Sequence, residues 1–230
     1  MKKKIIKIIK EKPGVGRLGR HVEHDPQSFA YAAGTAAIKT VTHKRHGKAF
    51  NQGELGACTG NAMAGLLMTE PFWVSGRSLT EADAVALYKA ATKLDSIPGI
   101  YPPNDTGSSG LAVMKAAVKA KYISGYAHTF SLNQLLGSLV LGPGILGVNW
   151  YTSFDSPKPD GECPLSAGAT VRGGHEVEMV GVDVTRKRVW CYNSWGPTWG
   201  GRRNGTFYFS WATLGRLLGE RGDATFARRA

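Results

Sequence analysis

Cysteine is scarce in this sequence: three residues in 230, at Cys58, Cys163 and Cys191. An odd number in a chain of this length makes no disulfide framework, so the expectation is a protein that folds without disulfides in a reducing compartment. Long apolar runs are missing as well. None approaches the roughly 20 residues that a membrane-spanning helix needs. The opening MKKKIIKIIKEK has the positive charge of a signal peptide but not its core, because Lys7 and Lys10 interrupt the apolar residues before about 7–15 of them accumulate. A cytoplasmic location is therefore expected. No internal repeat is visible, and no low-complexity segment beyond that lysine-rich start.

Acidic residues are the scarcer charge, 17 against 29 Lys and Arg, for a net charge of +12. The excess is local. Residues 1–20 carry +7, residues 216–230 carry +2, and the body between them carries only +3. A nucleic-acid partner read from total charge would misread this distribution, and none is expected. The basic N-terminal tail has three readings: a solvated tail, an amphipathic segment that contacts anionic surfaces, and a short inhibitory segment. What remains is an ordinary globular composition, 42% hydrophobic and 20% charged. A chain of this length buries roughly 70–75% of its unfolded surface, in one core or in two small lobes.

The stretch that organises the chain is QGELGAC, residues 52–58. Gln52 and Cys58 stand six positions apart, and the small-residue run TGNAMAGLLM follows at once. That run reads as a helix, which puts Cys58 at a loop-to-helix junction. Unpaired N–H groups and the positive end of the helix dipole favour a thiolate there. A nucleophilic thiolate needs a base, and the base needs a group to orient it. The second half of the chain offers GGHEVEMVG around His175 and YNSWGPTWGG around Asn193.

Taken together, QGELGAC, GGHEVEMVG and NSWGPTWGG resemble the papain-like cysteine peptidases, in the order Gln52, Cys58, His175, Asn193. The resemblance runs from about residue 36 to the C-terminus. It implies an α+β fold of two lobes, a helical lobe at about 50–125 facing a β-barrel-like lobe at about 126–230, with the active site in the cleft between them. Residues 1–35 would form a basic extension, too short for the family's usual helical inhibitory prodomain. The implied activity is hydrolysis of peptide or protein substrates without a cofactor or metal. Cys58 is the nucleophile, His175 the base and acid, Asn193 the residue that orients it, and Gln52 an oxyanion-hole donor. Trp195 would shield the His–Asn hydrogen bond, and Gly107 with Ser108 would line the cleft and bind substrate through the backbone. An ordinary helix start remains the alternative for that Gly-Ser pair.

The departures are specific. Leu55 stands where secreted relatives carry a disulfide cysteine, Thr59 where an aromatic residue usually follows the nucleophile, and Glu176 and Glu178 where apolar residues are common. With period 2 the two glutamates point away from the face of His175, Val177 and Met179, and if buried they require a basic or hydrogen-bonding partner. Short, disulfide-free relatives resemble proteins of bacteria and their viruses, so cell-wall peptides are an alternative substrate, and an inactive peptide-binding module is a further one. Oligomeric state is left open.

Local signals complete the reading. SLTEADAVALYKAATKLD predicts a helix with a Ser78–Glu81 capping box and a stripe of Ala82, Val85, Ala86 and Tyr88. GLAVMKAAVKAKY and SLNQLLGSLVLG predict two more helices. PGILGVNWYTSF, GHEVEMVGVDV, RVWCYNSW and GTFYFSWATL predict strands, with a turn at Thr185–Lys187. Cys191 is expected to be a packed thiol and Cys163 a free loop thiol. His43 and His46 are expected to be solvated loop residues.

Overall fold

The structure, a computed structural model, describes residues 6–7, 16–30 and 33–229. From the N-terminus the elements are β1 (Ile6–Lys7), β2 (Arg20–His21), α1 (Pro26–Ala30), β3 (Val41–Thr42), α2 (Cys58–Leu67), α3 (Glu81–Ala91), β4 (Asn104–Asp105), β5 (Ser108–Ser109) and α4 (Gly110–Lys119). The second half holds β6 (Gly125–Thr129), α5 (Leu132–Leu141), β7 (Gly144–Tyr151), a 3-10 turn at Thr152–Phe154, β8 (Val171–Asp183), β9 (Arg188–Tyr192), β10 (Thr206–Ser210), α6 (Trp211–Gly219) and β11 (Asp223–Arg228). Helices α2, α3 and α4 make one lobe, with Met63, Leu66, Leu67, Leu87, Val113 and Met114 in its core. The other lobe is a mainly antiparallel seven-stranded sheet ordered β10-β9-β8-β7-β11-β6, with β3 added alongside β8. Its core is aromatic, built on Trp150, Phe154, Phe207 and Phe209.

The helix boundaries follow their caps. Ser109, Ser131 and Ser210 each accept a hydrogen bond from the N–H three residues on, opening α4, α5 and α6. The capping box of α3 lies two residues later than expected, between Thr80 and Asp83. With that shift the buried face is Ala84, Leu87, Tyr88 and Ala91, while Ala82 and Ala86 are exposed. The stretch GTFYFSWATL is a strand only to Ser210, where the serine cap turns the chain into α6. Strands β6 and β11 have no strong alternation and were not expected; their pairing with each other, and that of β11 with β7, closes this side of the sheet.

Strand β8 is buried on both sides. Val177 and Met179 face the aromatic core. Glu176 and Glu178 face the helical lobe, as the period-2 pattern predicts, and both are buried. Gly65 of α2 packs directly on the Glu178 carboxylate. That carboxylate accepts from Arg45 Nε at 2.9 Å and from Thr69 Oγ1 at 2.5 Å, so its basic partner is Arg45.

The basic tail is not a solvated appendage over its described part. Arg17, Leu18 and Arg20 are all buried, so neither arginine is open to an anionic surface. The lysine-rich start at residues 1–5 and 8–15 lies outside the described residues. Cys163 is a loop thiol as expected, outside any strand or helix, but not an exposed one. It is fully buried in the core of the sheet lobe, as is Cys191, and none of the three cysteines is in a disulfide. His46 stacks on Trp73 with ring centroids 3.6 Å apart and bonds Glu70, while His43 bonds the Leu139 carbonyl, so both are anchored.

Candidate active site

Cys58 is the first residue of α2, at the loop-to-helix junction that its sequence predicts. The loop before it is held from both lobes. Gly56 N–H donates to the buried carboxylate of Asp105, which also accepts from Tyr88 Oη at 2.7 Å. Gln52 N–H donates to the Ser194 carbonyl, and Ser194 Oγ donates to Gln52 Oε1 at 2.5 Å. The Gln52 amide nitrogen donates to the Leu55 carbonyl, inside the same loop. The loop is thereby tied to the residue next to Asn193.

His175 lies on β8, and its Nε2 meets Asn193 Oδ1 at 2.8 Å. Ser194 N–H donates to the same oxygen. The bond fixes which imidazole nitrogen is left over: Nδ1 has no hydrogen bond among the described residues. Trp195 lies over His175 with centroids 5.1 Å apart, and Trp150 meets the ring edge-on at 4.8 Å. Aromatic walls of this kind keep water from the His–Asn bond. One turn along α2 from Cys58, Asn61 lines a small void together with Glu176, Asn193 and Ser194. Helix α2 therefore packs on the strand that bears His175, with the Cys58 end toward the Asn193 loop.

The cleft is filled by the chain's own residues 16–21. Gly16 packs on the Trp195 ring, and Trp195 Nε1 donates to the Arg17 carbonyl. Gly19 N–H donates to the Gly174 carbonyl at 3.2 Å, and Ser108 N–H donates to the Gly19 carbonyl at 2.9 Å. On its other side Gly19 lies against Gly56, two residues before Cys58. A Cβ at position 19 would stand 2.2 Å from the Gly56 carbonyl oxygen, so glycine alone fits there. Strand β2 pairs in parallel with β5, Arg20 opposite Ser108. Arg17 reaches Asp105 at 3.1 Å, and Arg172 donates to the Gly16 carbonyl. The segment thus spans from the Cys58 loop to the strand of His175, and Cys58 and His175 are both fully buried.

Burial pushes the His175 imidazole down to about 3, with the Asn193 bond opposing the shift and the positive charge of Arg172 adding to it. With the cleft covered, the ring is therefore neutral at ordinary pH. Ser108 N–H donates to the Gly19 carbonyl, while Gly107 N–H donates to Tyr88 Oη. Four residues of this region carry no sequence motif: Arg17, Arg20, Asp105 and Asp223. Asp105 sits in a stretch whose Pro, Gly and Asn content reads as loop. Only its burial marks it, and burial is a property of the fold.

No protein-family model matches the sequence, and no curated protein matches it either. Solved structures do. Xylellain, a cysteine protease from Xylella fastidiosa, superposes with a TM-score of 0.73 at 18% identity, over 97% of this chain and 99% of that one. The fold is that of the papain-like cysteine proteases. ProCathepsin B S9 from Trypanosoma congolense aligns with a TM-score of 0.64 at 10% identity, over 93% of this chain and 87% of its own. The bromelain protease from Ananas comosus, in complex with the E64 inhibitor, aligns at 0.54 and 16% identity over 80% of this chain and 94% of its own. The papain-like chain described here shares with them its two lobes and the cleft between.

Proposed function

We propose that this protein is a cysteine peptidase whose residues 16–21 hold it latent. The observation that carries the reading is the hydrogen-bonded pair His175 Nε2 and Asn193 Oδ1, packed against the helix that begins at Cys58. In the reaction, the Cys58 thiol passes its proton to His175 Nδ1 as the sulfur attacks the peptide carbonyl carbon, and the carbonyl electron pair moves to oxygen. The Cys58 N–H and the Gln52 side-chain amide donate to that oxyanion. The C–N bond then breaks, and His175 delivers its proton to the leaving amine. Water attacks the thioester carbonyl as His175 takes its proton, the C–S bond breaks to release the acid, and His175 returns the proton to the Cys58 sulfur. Asn193 holds the imidazole in plane with both partners.

The buried thiol and the neutral His175 support latency, because a covered cleft admits no substrate. Displacing residues 16–21 rehydrates His175 and raises its proton affinity, which the acid step requires. The test is hydrolysis of a fluorogenic peptide before and after limited proteolysis of the N-terminal segment. Activity should rise on removal and be absent in Cys58→Ala. A folded protein that binds peptides, yet neither cleaves them after removal nor reacts with a thiol-directed epoxide, is a binding module and refutes the reading.

A further inference from the structure

The side chain of Arg20 leaves the cleft and enters the protein. Its guanidinium donates to the Asp223 carboxylate and to the Arg221 carbonyl, and its Nε stands 4.0 Å from Glu176 Oε2. The arginine side chain is only 2% exposed, against 1% for Glu176 and 4% for Asp223. Glu176 directly follows His175, and neither of its carboxylate oxygens has a hydrogen bond among the described residues. The space is made by two glycines. Gly147 lies opposite Glu176 in the β7–β8 register, and a Cβ there would stand 2.4 Å from Arg20 Nε. A Cβ on Gly110 would stand 3.0 Å from Glu176 Oε1.

We propose that this is a specificity pocket for a cationic side chain. On this account the peptidase takes substrates that carry arginine at the residue seated next to the one packed on Gly56. The proposal rests on the peptidase reading above and names the substrate class of the same cleft. Two interior carboxylates face one guanidinium, and one of them has no other polar partner. When residues 16–21 leave, whatever fills the pocket must answer both acids. An apolar side chain leaves two desolvated carboxyl groups unsatisfied, and water enters a space shaped for a planar fork. An arginine supplied by the substrate restores the contacts of Arg20. A lysine ammonium can replace the single nitrogen, Nη2, that donates to both Asp223 and the Arg221 carbonyl, but it lacks the Nε that Arg20 turns toward Glu176.

The other titratable groups on this wall do not compete for the role. His24 and His128 have ring nitrogens within 4.8 Å of an Asp223 oxygen. Burial holds His128 down to about 4, and it lowers His24 as well. Both are neutral near pH 7, and His24 belongs to the N-terminal segment. Burial also pushes Glu176 well above the usual carboxylate range, with the Asp223 charge adding to the shift and Arg20 opposing it.

The experiment uses the full chain, before and after limited proteolysis of its N-terminal segment, and two peptide epoxides identical except for arginine or norleucine at the pocket position. Labelling of Cys58 is read by intact mass. The arginine probe should react at least tenfold faster, and Asp223→Asn or Glu176→Gln should bring the ratio toward one. Equal rates, or a faster norleucine probe, overturn the pocket. If neither probe labels Cys58 even after limited proteolysis of the N-terminal segment, the peptidase reading fails, and a second measurement judges the pocket alone. Ethylguanidinium chloride should raise the melting temperature of Arg20→Ala by several degrees more than that of the wild type. The gain should vanish in Arg20→Ala/Asp223→Asn. An equal response of Arg20→Ala and wild type overturns the pocket. Should Arg20→Ala fail to fold, Arg20→Ala/Glu176→Gln/Asp223→Asn, which removes both buried carboxyl groups, must recover folding. If it does not, the pocket assignment is wrong.

Discussion

Arg17→Ala should loosen the latch over the active site without touching the catalytic groups. Arg17 reaches Asp105 at 3.1 Å, with side-chain exposures of 9% and 0%. Asp105 keeps Gly56 N–H and Tyr88 Oη after the substitution, so the acid is not orphaned and the body of the fold should persist. What is lost is a charge-assisted hydrogen bond made only in the docked state, worth about 1.5–3 kcal/mol. At about 1.4 kcal/mol per factor of ten, the population with an open cleft rises roughly 10- to 150-fold. Where reclosing outpaces labelling, the rate of Cys58 alkylation by iodoacetamide scales with that population. The assay is therefore the second-order alkylation rate at one fixed pH, with far-UV circular dichroism to establish folding. An unchanged rate in a folded Arg17→Ala protein would show that residues 16–21 do not gate the thiol through this contact. Arg17→Lys should fall between, since it keeps the charge and loses the fork.

Three further outcomes are expected. Arg45→Ala should destabilise the fold by about 3–5 kcal/mol at neutral pH, because it breaks a buried pair. Burial already raises Glu178 above its ordinary value of 4.5, and Arg45 opposes that rise. Without Arg45 the folded state holds a proton that the unfolded state releases, so the deficit should be smallest near pH 4.5 and grow as pH rises. Urea melts at pH 5 and pH 8 with an equal deficit at both would contradict the argument. Gln52→Ala in the opened enzyme should lower kcat on the order of 10²–10³-fold with little change in KM. Asn193→Ala should be milder, and a reversed order of the two on one fluorogenic peptide would reassign them. Cys163 and Cys191 should stay silent to a thiol reagent until denaturant is added, since burial pushes both thiols well up. Fast native labelling at either position would contradict the packing.

The candidate site was legible where the chemistry is local in sequence. Gln52 lies in the loop that ends at Cys58, His175 lies within β8 and Asn193 directly follows the neighbouring β9, and Ser108 lies at a helix start. The resemblance supplied their order, and the structure brings His175 and Asn193 into hydrogen-bond contact. Period 2 on β8 rightly turned Glu176 and Glu178 away from His175, and their burial rightly demanded cations. The identity of those cations was not legible. Arg45 lies 133 residues from Glu178, and Arg20 lies in a segment whose charge reads as solvated. Net charge cannot separate a basic tail from a strand that carries its arginines inside. Strands β6 and β11 stayed hidden for a related reason. Their short, mixed sequences gain strand character from partners far along the chain, and propensity weighs only neighbours.

Arg20 has one more consequence, for how long an opened molecule survives. The residue that blocks the cleft is also a structural part of the interior, set between Glu176 and Asp223. A molecule that sheds residues 16–21 loses that part along with the block. On the proposed reading, the two acids then line a vacated space until a substrate arginine arrives. If the pocket takes a substrate arginine as proposed, turnover and persistence draw on the same pocket: a working molecule is propped up by what it cuts, and an idle one unravels sooner. Activation of this kind starts a clock, and the supply of substrate sets its rate.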